Sequence, residues 1–455
     1  MKQKKQFTTS RMERTSVGLY AFGTILSYYM IMSYLQLYMT DIGISAVAVG
    51  LIFMFAKVWD AVNDPIFGVM VDKINLKGGK YRPWLRISTV AIPLTTILLF
   101  IVPANASVQA KIIWSSVAYV LWDTAYTMCD VPMNAIVTAM TESTFERNKM
   151  YSLNAFFVYL GGLLVAISVP MLYPAIGWGT TAIILSVISM AAMAFVGVKA
   201  KERFTPAREE EASVKDIVLS LVRNKYLLIY TLSAVVGSIF DFTGTLNAYV
   251  AIHCLGDQSY ITLLSLASAV PVLFVVLFVP RILEKTEKFT TYIVTRVATI
   301  LVSLVIYLVG YQNVGLLLGL IVIKTLFSSV WGIMAVMFIA DCVEYGQYLT
   351  GERNQGIAFA TKAFTNKIIV AITGALGMFG LAACGFIEGE GVVQSAQTVQ
   401  GIWTLYGLGP IVGSVLSMLI LIAYKLRDAD VKTMIRCNSG EITREEAEAA
   451  FTRKF

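Results

Sequence analysis

Charge is what this sequence has least of. Only 14% of its 455 residues are Asp, Glu, Lys or Arg, against roughly 25% in an ordinary soluble domain. Histidine is nearly missing, with His253 alone, and the five cysteines (Cys129, Cys254, Cys342, Cys384 and Cys437) are scattered without a CxxC pair. That sets aside metal clusters, thiol redox chemistry and a disulfide framework. Long polar stretches are lacking too. The longest internal one runs over about 25 residues near 199–225, and the flanks 1–16 and 426–455 are too short to bury cores of their own. No soluble enzyme domain fits into what remains, so the chain is not expected to be an enzyme.

What is present is apolar. Hydrophobic residues make up 57% of the chain and the mean hydropathy is +0.71. A bilayer-spanning helix takes about 20 mostly apolar residues, and twelve such runs recur, at 17–40, 46–71, 87–103, 110–139, 150–174, 178–199, 226–253, 259–282, 289–310, 313–340, 356–385 and 401–425. With the N-terminus inside, 30 of the 36 Lys and Arg fall in cytoplasmic segments and only Lys111 in an outer loop. The positive-inside rule therefore predicts a multi-pass plasma-membrane protein with both termini cytoplasmic. It also accounts for the net charge of +7 without nucleic acid. The basic opening MKQKKQFTTSRMER lacks the apolar core and cleavage site of a signal peptide and is expected to be a cytoplasmic tail.

The charged stretch at 200–225 divides the spans into halves of six, 17–199 and 226–425, between tails at 1–16 and 426–455. Two six-helix halves are the plan of a major facilitator transporter, an all-α membrane fold with its substrate site near the midplane and alternating access by rocking of the halves. A channel or a membrane sensor is the alternative class. A channel calls for a filter element such as TVGYG, which the sequence does not contain.

Chemistry must come from ionisable residues inside the spans, each costing about 2.5–3.5 kcal/mol near a helix centre on insertion scales. The acids are Asp60, Asp64, Asp123, Asp130 and Asp241. In KVWDAVNDPIFG, Lys57, Asp60, Asn63 and Asp64 recur at spacings of three and four, which places them on one helical stripe. In WDTAYTMCDVP, Asp123, Thr127 and Asp130 do the same. Carboxylates, an amide carbonyl and a hydroxyl at these spacings suit a small hard cation; the alternative is that Lys57 neutralises one carboxylate and the stripe is packing. Pro65, directly after Asp64, is expected to kink the second span.

These motifs, with DKINLKGGKYRPW, FIADCVEYGQY and FTNK in the same order along the chain, resemble the glycoside, pentoside and hexuronide cation symporters, major facilitators that include a melibiose permease. The resemblance implies a cation site at Asp60, Asn63, Asp64 and Thr127, taking Na+ or, alternatively, H+, and no other cofactor. It implies Asp130 as an acceptor for sugar hydroxyls and Trp331 and Lys367 as cavity residues of the second half. With Tyr126, Asn134 and Asp241, these make the expected substrate set.

Three sugar contacts of the melibiose branch are replaced, by Ile25, Ala155 and Asn134, so galactoside specificity does not carry over. Lys324, Lys362 and Lys367 lie in spans ten and eleven, where an acidic sugar such as a hexuronide would supply counter-charge; Lys324 pairing with Asp241, or Asp123 with Lys367, is the alternative. Lys362 is expected to snorkel to the inner surface. Asp72, Lys73 and Arg82 after span two, and Asp341, Glu344 and Arg353 after span ten, are expected to act as cytoplasmic gate latches across the halves. The expected partners are a sugar or glycoside, a monovalent cation and the bilayer, with the protein a monomer. A non-sugar amphiphile is the alternative cargo.

Overall fold

The computed structural model describes residues 7–74, 76–204 and 214–453, without the side chains of Ala61, Pro65, Asp72 and Val214. Among the described residues every regular element is helical. The chain divides into two compact units, Met1–Arg208 with Phe386–Val393, and Glu209–Gly385 with Gln394–Phe455.

The first unit holds α1 (Arg11–Asp41), α2 (Ala46–Lys73), α3 (Arg82–Phe100), α4 (Val108–Met140), α5 (Thr144–Ile176) and α6 (Trp178–Lys199). Serines start several of them: Ser45, Ser107 and Ser143 each accept a backbone N–H of the first turn of α2, α4 and α5, satisfying donors that the helix leaves unpaired. α1 packs on α5 and α6, α3 on α4 and α6, and α2 on α4. Small residues allow the closest of these contacts. A Cβ on Gly23 would stand 2.6 Å from the Ser189 carbonyl oxygen, and the Ser189 hydroxyl donates to the Gly23 carbonyl at 2.7 Å. Helices in lipid associate through such close approach and hydrogen bonding.

The second unit begins with a short amphipathic helix, α7 (Val214–Arg223), and continues through α8 (Lys225–Ile239), α9 (Thr243–Tyr249), a π turn at Val250–Cys254, α10 (Ser259–Leu283), α11 (Lys288–Val309), α12 (Val314–Thr350), α13 (Gln355–Ala383) and α14 (Ala396–Leu421). Two shorter helices follow toward the C-terminus, α15 (Asp428–Asn438) and α16 (Arg444–Ala450). Here α8 packs on α13 and α14, α11 on α12 and α14, and α10 on α12. This is the pairing scheme of the first unit again, with α8 for α1, α10 for α2, α11 for α3, α12 for α4, α13 for α5 and α14 for α6. Each unit is built from the same arrangement, and the internal repeat is structural.

Among the described residues, ten helical stretches are long and apolar enough to cross a membrane. The two remaining long helices, α1 and α4, have 31 and 33 residues; α4 carries Asp123 and Asp130, and α1 is rich in Ser, Thr and Tyr. Large apolar side chains such as Phe156, Met171, Phe274 and Leu308 stand exposed, as a lipid-facing surface requires.

Three expectations change. The seventh span is not one helix: it breaks at Phe240–Phe242, where the Asp241 carboxylate accepts from the Thr243 backbone N–H at 3.3 Å and hydroxyl at 2.5 Å. Such local side-chain bonds compete with the helical ladder, and the Thr373 hydroxyl takes up the Ser238 carbonyl at 3.2 Å. The tenth span extends to Thr350, so Asp341 and Glu344 lie on a continuous helix rather than in a loop. Residues 386–393, between α13 and α14, group with the first unit: Gly389 and Glu390 donate backbone N–H groups to the Thr40 and Asp41 carbonyls at 3.0 Å each, and Glu388 accepts from Ala46 N–H at 2.8 Å. As for Pro65, α2 is continuous through it, and its ring lies outside what is described.

Candidate functional site

In the first unit the packing of α2 on α4 brings the two polar stripes together. Lys57 Nζ lies 3.4 Å from Asp60 Oδ2 and 3.4 Å from Asp123 Oδ1. Asp60 turns its other oxygen toward Thr127, whose hydroxyl donates at 3.5 Å. Asn63 is 2% exposed and its Nδ2 has no hydrogen-bond partner among the described residues; Asp64 is half-buried beside it. At an effective dielectric near 20, opposite charges at this separation attract by about 5 kcal/mol. That is enough to keep an ammonium in an apolar bundle, and Lys57 neutralises part of the stripe, as the alternative reading of it anticipated. What the sequence reading did not anticipate is that Lys57 reaches Asp123 on the neighbouring helix.

An aromatic row runs alongside the charges. Phe53 and Tyr119 rings lie 4.9 Å apart, Trp122 and Tyr126 stack at 5.2 Å, and Tyr126 meets Tyr28 at 5.4 Å. Among the described residues no group of three His, Cys, Asp or Glu side chains is placed to hold a metal ion. A coupling cation here would therefore draw on the neutral oxygens of Asn63 and Thr127 as well as the carboxylates. Asp130 and Asn134, further along α4, are exposed, and Asn134 Nδ2 donates to the Asp130 carbonyl at 3.0 Å.

In the second unit a cavity of about 230 Å³ is lined by Tyr230 and Thr231 of α8, Trp331 and Ala335 of α12, and Lys362, Thr365 and Asn366 of α13. Trp331 packs against Tyr230 at 5.3 Å and Tyr292 at 4.8 Å between ring centroids. Rings with polar tips beside an ammonium and an amide suit a hydroxylated ligand. The lysine of α13 on this wall is Lys362, which was expected to snorkel. Lys367, expected there, is half-buried and not part of the lining: at 100° per residue it lies about 140° round the helix from Lys362, whereas Asn366 lies about 40° round. Asp241 is also outside the lining, its carboxylate bound by Thr243 at the helix break. Lys324 is half-buried on α12.

The expected latches are engaged inside their own units. Arg82 donates to the Gly197 and Val198 carbonyls at 2.8 and 3.3 Å. Asp341 is held by Lys288 at 2.5 Å, and Lys288 also reaches Asp428 at 3.3 Å. Glu344 pairs with Arg353 at 2.7 Å and accepts from Asn438 Nδ2 at 3.2 Å. Lys73 is exposed, and the side chain of Asp72 lies outside the described residues.

Sequence reasoning passed over Arg296. It sits within the apolar helix α11, is 7% exposed and, among the described residues, has no carboxylate within ion-pair distance. Its guanidinium lies over the Tyr292 and Trp331 rings at 5.5 and 5.2 Å, and Nη1 donates to Ser414 Oγ at 3.4 Å. The signal was an arginine within the ninth apolar run, TRVATILV, the kind of residue that is rare there without a task.

Residues 16–428 match the family described as MFS/sugar transport protein. The chain is 27% identical over 449 residues to an isoprimeverose transporter of Lactiplantibacillus pentosus, covering 93% of this chain and 90% of that protein. It is 26% identical over 411 residues to a putative glycoside/cation symporter of Escherichia coli K12, covering 88% and 89%. Its fold is similar to the crystal structure of the nucleoside transporter NupG, with a TM-score of 0.67 at 13% identity over 91% of this chain and all of that one. A multi-pass helical bundle and a match over most of its length agree: the chain is a transporter rather than an enzyme and belongs to the MFS/sugar transport protein family.

Proposed function

We propose that the protein imports a glycoside with an acidic group, coupled to the inward movement of a monovalent cation, by alternating access. The observation that carries the coupling is the buried cluster of Asp60, Asn63 and Thr127 with Lys57 and Asp123. Charges and amides are retained between apolar helices where they meet an ion. Asp64 completes the stripe, and sodium is favoured over the proton by the neutral oxygens of Asn63 and Thr127, since a proton needs only a carboxylate. One such cation moving down about 100 mV contributes about 2.3 kcal/mol to uptake.

The substrate's acidic group is assigned to Lys362, the ammonium on the wall of the second unit's cavity, with Trp331 and Tyr230 as faces for the sugar ring and Asn366 for its hydroxyls. Asp130 and Lys367 keep the substrate-side roles that the family likeness gives them, and Tyr126 and Asn134 are candidate contacts beside Asp130 on α4. The Lys and Arg asymmetry supports a topology with both termini in the cytoplasm.

The test is uptake by proteoliposomes containing the purified protein, offered a hexuronide, a neutral pentoside or a neutral glycoside, under a sodium gradient or a proton gradient. Accumulation of the hexuronide driven by sodium is expected, and sodium and substrate should raise one another's affinity by the same factor. Accumulation driven by the proton gradient alone would reassign the ion. Preference for the neutral glycosides would remove the acidic group.

A further inference from the structure

Asp123 has no place in the cation site implied by the family motifs, yet it is 3% exposed and shares an ammonium with Asp60. The geometry is symmetrical: Nζ stands 3.4 Å from an oxygen of each carboxylate. Charge-assisted hydrogen bonds in a settled pair close to about 2.7–2.9 Å, so the ammonium is committed to neither. Asp60 divides its oxygens in the same way, Oδ2 toward Lys57 and Oδ1 toward the Thr127 hydroxyl. Lys57 thus holds the Oδ2 side of the carboxylate that would ligate a coupling cation, and Asp123 offers it somewhere else to go.

We propose that Lys57 is an internal counter-ion of the cation site, held between Asp60 and Asp123 when the site is cation-free and drawn onto Asp123 alone when the coupling cation takes Asp60. This rests on the coupling reading above and adds Asp123 as a determinant of cation affinity. Lys57 is within reach of both carboxylates, at 3.4 Å from each, so it can leave Asp60 for an arriving cation and still keep a carboxylate partner. Without Asp123 it has no second carboxylate to move to, and the cation must compete with the ammonium for Asp60. Lys57 also returns to Asp60 when the cation leaves for the cytoplasm, which keeps two buried carboxylates from facing each other without a cation between them.

Three variants separate this from a packing role: Asp123→Asn, Lys57→Gln and the two together. The measurement is the cation concentration giving half-maximal substrate uptake in proteoliposomes, paired with cation-dependent substrate binding in detergent. A nearby opposite charge shifts a charged group's equilibrium by about one to three decades, so Asp123→Asn should weaken apparent cation affinity about tenfold or more. Lys57→Gln, which removes the competitor, should tighten it while slowing turnover, and the double variant, with the original net charge, should return close to wild type. Unchanged cation affinity in Asp123→Asn, or a double variant no better than the worse single, overturns the proposal. If Asp123→Asn does not fold, Lys57→Gln decides alone, because weakened cation affinity there is opposite to the prediction. A wild-type protein with no cation dependence at all would instead overturn the coupling reading on which this rests.

Discussion

The Arg296 guanidinium lies 5.2 Å from the centroid of the Trp331 ring, and Trp331 forms part of the cavity wall in the second unit. Arg296 is not itself in that lining, so any influence on the ligand passes through the indole. A cation over an aromatic face contributes about 0.5–2 kcal/mol, while keeping a guanidinium buried with no carboxylate against it costs several kcal/mol. The contact does not offset that cost. Arg296→Leu should therefore raise the KM for uptake several-fold without lowering the unfolding temperature of the detergent-solubilised protein, and Arg296→Lys should recover part of the loss. A large drop in unfolding temperature with unchanged KM would make Arg296 a packing residue only.

Asp64 stands on the same stripe as Asp60 and Asn63, one residue along from the amide. Asp64→Cys keeps a small side chain but removes a carboxylate from the proposed ion site. We expect gradient-driven accumulation to be lost while substrate binding or exchange down its own gradient persists. Undiminished uphill uptake by this variant would move the cation site elsewhere.

Much of this was legible before any coordinates. Apolar runs of bilayer length are a strong signal because unsatisfied backbone groups leave only helices in hydrocarbon, and helical spacing alone put Lys57, Asp60, Asn63 and Asp64 on one face. The departures have a common physical source, which is that span reading averages over about 20 residues and says nothing about which helices touch. The break at Asp241 depends on one carboxylate and the following Thr243. The Lys57 contact to Asp123 depends on α2 lying against α4. Lys362 rather than Lys367 on the cavity wall is a matter of rotation about α13, which hydropathy cannot give. The grouping of residues 386–393 with the first unit rests on backbone hydrogen bonds to Thr40 and Asp41 that no side-chain pattern encodes.

The helix break leaves a close seam with α14. A Cβ on Gly409 would stand 2.4 Å from the Phe240 carbonyl oxygen, and one on Gly413 would stand 2.7 Å from that of Gly237. Both obstacles are backbone atoms and cannot swing aside as a side chain would. Gly409→Val should lower stability by about 1–3 kcal/mol, the usual cost of overpacking, seen as a lower unfolding temperature in detergent. Gly244→Ala, at a position with nothing within 4 Å of the added Cβ, serves as the control and should leave it unchanged. Equal stability of the two variants would mean that α14 can back away from the break.

Lys362 and Lys367 lie five residues apart on α13, and only the first is on the cavity wall. If Lys362 meets an acidic group of the substrate, Lys362→Ala should raise the KM for a hexuronide at least tenfold, since removing one partner of a buried charge pair leaves the other uncompensated at a cost of about 3–5 kcal/mol. A neutral glycoside of the same size makes no such pair, so its KM should change little. Lys367 is twelve residues past the start of α13 at Gln355, about 18 Å along the helix at 1.5 Å per residue, too far from that end for its side chain to snorkel there. Its charge must be met inside the protein, and Lys367→Ala should lower the uptake rate of both substrates to a similar extent. The contrast between the two variants carries the information. Substrate-selective loss in Lys367→Ala with uniform loss in Lys362→Ala would exchange their roles, and wild-type kinetics in both would leave the acidic group without a partner on this helix.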